Sequence, residues 1–157
     1  MSPKRGYAGD SLSPFPMIAT ARFDVTSWEP TVYDQPEDGP ALTRVTLTKT
    51  FEGDLTGESV GEGLFCGLQT PADGAGYMVS ERVTGRLGGR AGTFVMQHGG
   101  LAAPEAEPQS FGSIVPGSGT GALAGLRGTV VFGADHTITL KFEMPDGPAD
   151  AESSLAT

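Results

Sequence analysis

Two carboxylates, one imidazole and one thiol of this chain fall on strand faces that otherwise read as apolar. They are Glu81, Glu62, His98 and Cys66. A half-buried strand alternates inside and outside with a period of two. In Tyr77-Met-Val-Ser-Glu-Arg-Val, the residues Tyr77, Val79, Glu81 and Val83 share one face. Glu81 is the acid in that row. Burying a carboxylate is costly unless it is paired or kept neutral. A two-residue turn at Gly88-Gly89 puts Leu87 opposite Arg90, Val83 opposite Phe94, Glu81 opposite Met96 and Val79 opposite His98. Glu81 and His98 are then diagonal neighbours, within reach of each other. A carboxylate and an imidazole so placed can share and move a proton, and an apolar setting is expected to raise the carboxyl pKa.

The same reasoning applied to a turn at Gly53-Asp54 pairs Leu47 with Val60, Val45 with Glu62, Thr43 with Leu64 and Lys49 with Glu58. On this register Val45, Leu47, Leu64, Glu62 and Cys66 join the inward face. Lys49 and Glu58 fall on the same face near its turn end, where they are expected to make a structural ion pair that reaches water. The expected acid–base set is therefore Glu81, Glu62 and His98. Trp28, Val45, Leu47, Leu64, Cys66, Tyr77, Val79, Phe94 and Met96 are expected to wall a pocket around it.

Eight strands must position these residues. They are expected over Met17 to Trp28, Ala41 to Glu52, Leu55 to Gly67, Ala75 to Leu87, Ala91 to Leu101, Gln109 to Val115, Thr129 to Phe132 and Thr137 to Met144. Glu29 to Pro40 reads as a loop, and Ala122 to Leu126 as one short helical turn. Short connections between consecutive strands point to an all-β, antiparallel up-and-down barrel, closed so that no edge is exposed. An eight-stranded barrel either fills its lumen or holds one small ligand. Residues 1–16 read as a flexible leader, 17–144 as the barrel domain and 145–157 as a flexible tail.

Composition excludes several functions. A net charge of −9 with no basic stripe argues against nucleic acid and against an anionic membrane surface. The single cysteine forbids an intrachain disulfide, which suits a cytoplasmic protein. The two histidines, His98 and His136, lack metal-ligand spacing, so no metal and no cofactor is expected. Gly117-Ser-Gly-Thr-Gly121 has no Lys-Ser/Thr after it, and a strand follows too soon for a dinucleotide fold. Its glycines are read as turning a barrel corner.

Several motifs occur together: Thr26-Ser-Trp28-Glu29, Thr48-Lys-Thr-Phe-x-Gly-Asp-Leu55, Glu81-Arg-Val-Thr-Gly-x-Leu-Gly-Gly-Arg90, Phe94-Val-Met-Gln-His98, and Val115-Pro-Gly-Ser-Gly-Thr-Gly-x-Leu-x-Gly-Leu-Arg-Gly128. Over about residues 18 to 144 the chain resembles a bacterial family of uncharacterised proteins grouped with the allene oxide cyclase-like β-barrels. The resemblance implies an eight-stranded barrel with a central pocket, often in an oligomer, here a dimer or trimer. The plant cyclases use a glutamate near the end of their first strand. The comparable segment here, Val25-Thr-Ser-Trp-Glu29, has no acid of matching parity. Two functions follow as expectations. One is a cofactor-independent cyclase or isomerase that confines a hydrophobic small molecule in the lumen, with acid–base help. The other is a non-catalytic small-molecule carrier using the same pocket.

Overall fold

The computed structural model describes residues 16–145. All but the innermost residue of the expected leader and of the expected tail lie outside them. Eight antiparallel strands close into one barrel in sequence order: β1 Met17–Asp34, β2 Leu42–Gly53, β3 Leu55–Cys66, β4 Ala75–Leu87, β5 Arg90–Ala102, β6 Gln109–Ile114, β7 Arg127–Gly133 and β8 Thr137–Glu143. Among the described residues, no helix is long and apolar enough to cross a membrane.

The β4–β5 hairpin has the expected register, with Glu81 opposite Met96 and Val79 opposite His98. Gly88 and Gly89 have φ of 59° and 83°, the two positive values that a two-residue turn of this hand requires. The β2–β3 hairpin differs from the expected pairing by one residue. Lys49 lies opposite Ser59, Leu47 opposite Gly61 and Val45 opposite Gly63. A one-residue slip sends every side chain of a strand to the other face. Leu55, Gly57, Ser59, Gly61, Gly63 and Phe65 thus share the inward side, and Val60, Glu62, Leu64 and Cys66 are exposed.

β1 runs six residues past Trp28, into the segment read as a loop. Only its first part, Met17 to Arg22, pairs with β8, whereas its pairing with β2 extends from Ala21 to Asp34. β6 meets β7 at only two positions, Ser113 with Thr129 and Ile114 with Gly128. The barrel is therefore sealed on all sides at one end. At the other end it is a mouth bounded by long β1 to β5 and by the start of β6.

The sealed end holds the main core. Phe94, Met96, Leu55, Leu87, Ile138 and Leu140 are all fully buried there. The glycine-rich segment seals the gap where β6 stops. Ser118 Oγ accepts a hydrogen bond from Val95 N at 2.9 Å, and Thr120 Oγ1 accepts one from Thr93 N at 3.1 Å. Thr120 N returns a bond to Thr93 O at 2.9 Å. A single 3-10 turn, Gly121–Leu123, then drops Leu123 into the core. The segment is a connection that fills the wall between β6 and β7 rather than a strand turning a corner, and its helical turn starts one residue before the expected one and is shorter.

Candidate functional site

Glu81 is the centre of a buried polar cluster between the sealed core and the mouth. Its side chain is fully buried, and three donors converge on its two oxygens. Ser59 Oγ donates to Oε1 at 2.7 Å. Lys49 Nζ donates to Oε2 at 2.9 Å, and His98 Nε2 to the same oxygen at 2.6 Å. Each partner follows from register. His98 is the diagonal neighbour across β4–β5. Ser59 is the diagonal neighbour across β3–β4, where Gly61 sits directly opposite Glu81. Lys49 reaches across from β2, beside Ser59. Its ammonium also lies 4.7 Å from the Phe23 ring centroid and 4.8 Å from that of Phe132, so aromatic faces supply the remaining attraction.

Burial pushes the Glu81 carboxyl up, but the His98 hydrogen bond, the Lys49 charge and the Ser59 hydroxyl together outweigh it. The net shift is downward, and Glu81 is ionised at neutral pH. This corrects the expectation of a raised carboxyl pKa. The reason is that the slip of β3 replaces Glu58 with Ser59 beside Lys49, so that Lys49 and Ser59 join His98 on Glu81. A lowered folded pKa stabilises the fold above the unfolded carboxylate value, about 4.3, and that contribution is lost as pH falls toward the folded value. Urea unfolding of the native chain should therefore show stability falling steeply on acidification from about pH 5. A Lys49→Met/Glu81→Leu variant should show a shallower fall. Equal slopes would mean that Glu81 carries no such linkage.

With Glu81 ionised, His98 Nε2 carries the proton of their shared bond, which leaves Nδ1 as the free ring nitrogen. His98 is 5% exposed, and its Nδ1 is buried without a hydrogen-bond partner among the described residues. The ring packs 4.2 Å from Phe132 and edge-on to Tyr77 at 6.1 Å, centroid to centroid. An orphaned buried polar atom costs about 1–3 kcal/mol, and this nitrogen is the one buried polar side-chain atom among the described residues that the cluster leaves unpaired. Among the described residues, no group of three His, Cys, Asp or Glu is placed to hold a metal ion.

The structure brings Glu81 and His98 together and separates Glu62 from them. Glu62 faces solvent opposite Thr46 and Ser80. The expected Lys49–Glu58 pair is absent among the described residues, because Lys49 points inward while Glu58 is exposed. Leu64 and Cys66 also lie outside. They border a trough of about 610 Å³ that runs along the outer wall past Met78, Leu101 and Phe111 and reaches Phe65 and Tyr77 at the rim. Phe94 and Met96 do face inward, but both are fully buried within the sealed core and wall no pocket. Val45, Leu47 and Val79 form a second apolar cluster on the mouth side, with Phe65, Leu68 and Tyr77 against it. Trp28 pairs with Leu47 and stands edge-on to Phe65 at 5.6 Å. Glu29 turns outward opposite Thr46, so the end of β1 puts no acid into the lumen. Sequence reasoning missed Ser59 as an inward residue, and it placed Lys49 on the inward face but paired it with Glu58 rather than Glu81. The signal that finds Ser59 is the glycine alternation around it.

A family model for a protein of unknown function, DUF3224, matches residues 19–144. The chain belongs to the DUF3224 family. A crystal structure of a protein with unknown function from that family, from Shewanella oneidensis MR-1, is 33% identical and superposes with a TM-score of 0.71. The match covers 85% of this chain and 99% of that one. No curated protein matches.

The matched span takes in every strand that supplies the cluster, so the DUF3224 barrel and the polar centre are one unit. Within it, β3 is glycine-rich on its inner face for a steric reason. A methyl group at Gly61 would meet Glu81 Cβ at 2.6 Å and Ser80 O at 2.9 Å. Backbone and a locked side chain cannot retreat from that contact. Gly61→Ala in this DUF3224 chain should cost about 1–3 kcal/mol of unfolding free energy, read by urea denaturation, although it adds only one methyl group. A change below about 0.5 kcal/mol would show that β3 and β4 are not held this closely. At the mouth rim, Phe65, Leu68 and Tyr77 from the inner side and Cys66 and Leu101 from the outer side border a cleft of about 410 Å³, within the range that holds a small organic ligand.

Proposed function

We propose that this protein is a cofactor-independent isomerase or cyclase for a hydrophobic small molecule held at the mouth side of an allene oxide cyclase-like barrel lumen. The observation that carries this reading is the buried Glu81–His98 pair with an unsatisfied Nδ1, lying beneath an aromatic mouth. Glu81 orients the ring and stabilises the imidazolium that forms when Nδ1 takes a proton. Lys49 and Ser59 keep Glu81 ionised for that role. The base is thus His98 rather than a neutral glutamic acid. Confinement of a reactive conformer adds to this, because holding reacting groups in place removes several kcal/mol of entropic barrier. Barrel likeness alone would not support the assignment, since one fold hosts many functions. The support is the site.

Incubating the protein with a panel of neutral polyene and enone substrates in D₂O tests the reading. Conversion of one of them to an isomer, its mass unchanged except for exchanged deuterons, is expected. That conversion should fall at least about a hundredfold in His98→Ala. Tight one-to-one binding with the ligand recovered unchanged would instead establish the carrier function and overturn catalysis.

A further inference from the structure

Tyr77 is the polar group that the lumen chemistry has not yet used. It faces the mouth on the same row as Glu81, with His98 the diagonal neighbour of both. Its ring stacks on Phe65 at 5.3 Å with planes 10° apart and meets His98 edge-on. The residue opposite is Gly100, where even a methyl group would come within 3.4 Å of Tyr77 Cε1. The ring is therefore held between Phe65 and β5. Its hydroxyl has no hydrogen-bond partner among the described residues, and burial followed by the Glu81 charge pushes its pKa up. It stays a protonated donor at neutral pH. The other side chains around it, Trp28, Val45, Phe65 and Leu68, carry no charge.

We propose that Tyr77 is a catalytic hydrogen-bond donor to a substrate carbonyl, and that the substrate class is an uncharged apolar ketone or enone with an acidic C–H. This rests on the lumen reading above. In the step, the C–H bond α or γ to the carbonyl breaks, and its electron pair forms the new carbon–carbon double bond. The carbonyl π pair moves to oxygen, and that oxyanion accepts a hydrogen bond from Tyr77 Oη–H. The proton goes to His98 Nδ1, and the imidazolium is balanced by Glu81. Return of the same proton to another carbon gives an isomer, so no oxidant, reductant or co-reactant is consumed. A donor aimed at developing negative charge, half-buried beside Phe65, Leu68 and Val79, is worth more than the same group fully in water.

Two probes separate this inference from the reading beneath it. Naphthalene reports on the apolar pocket, and 2-naphthol, whose neutral and anionic forms differ in absorbance, reports on oxyanion stabilisation. At about neutral pH the wild-type chain should bind both and hold 2-naphthol as its anion. Tyr77→Phe should keep naphthalene affinity within about twofold and lose naphtholate affinity by about tenfold or more. His98→Ala should bind 2-naphthol in its neutral form. Thermal melts establish that each variant folds. Naphthalene binding with 2-naphthol left neutral in wild type would overturn the role of Tyr77 and leave the pocket standing. An unchanged naphtholate affinity in Tyr77→Phe would do the same. Absence of naphthalene binding would overturn both.

Discussion

Glu81→Leu should lower the unfolding free energy by about 3–5 kcal/mol, the largest single-residue effect expected outside the main core. The loss does not come from the Glu81 bonds themselves. It comes from Lys49, whose ammonium remains 7% exposed with its counter-ion gone, and from Ser59 and His98, which lose their acceptor. Pairing the substitution with Lys49→Met removes the stranded charge, and the double variant should recover most of the stability. Buried ion pairs replaced by apolar residues of similar volume are often neutral or stabilising. Denaturant titration of the two single variants and the double variant measures this directly. Additive losses in the double variant would mean that Lys49 and Glu81 are not coupled, contrary to their 2.9 Å contact.

Phe94→Ala should cost about 3–5 kcal/mol, because Phe94 is fully buried and the neighbours around it cannot close the space. The same substitution should leave ligand affinity of the folded fraction unchanged. Those two outcomes distinguish a core residue from a pocket wall, which was the role its inward parity suggested. Urea unfolding and ligand titration of one sample read both. A weakened ligand with intact stability would put Phe94 at the pocket.

The contrast between two hairpins shows how much of this was legible in the chain. Gly88-Gly89 is a turn whose length and handedness follow from residue type, so the β4–β5 register and the Glu81–His98 contact could be derived. Gly53-Asp54 has no such constraint. There the weighting of apolar residues favoured Val60, Leu64 and Cys66 inside, but the alternative register buries Leu55 completely. It also puts glycine where Glu81 and Val79 lean across β3. At Gly63 a methyl group would meet Val79 Cγ2 at 2.8 Å. An inward face chosen for its lack of volume carries no hydrophobic signal. That one slip turned Glu62, Leu64 and Cys66 out of the lumen, brought Ser59 in, and gave Lys49 the wrong partner, Glu58. The extension of β1 to Asp34 was obscured by Pro30, which a strand with a single neighbour tolerates. The barrel itself needed none of this precision, since eight alternating runs with short connections define its topology.

The central claim is that an apolar ligand occupies the lumen above His98 rather than the outer wall. Val79 and Met78 are adjacent in sequence and face opposite sides, 5% and 57% exposed. Trp28 is the only tryptophan in the chain and stands at the mouth, so its quenching by N-phenyl-1-naphthylamine reports occupancy. Val79→Phe fills the lumen side and should weaken that probe by about tenfold or more, whereas Met78→Arg should leave it within about twofold. Circular dichroism of both variants verifies the fold. The reverse pattern, with Met78→Arg abolishing binding and Val79→Phe sparing it, would place the ligand in the outer trough and contradict the account.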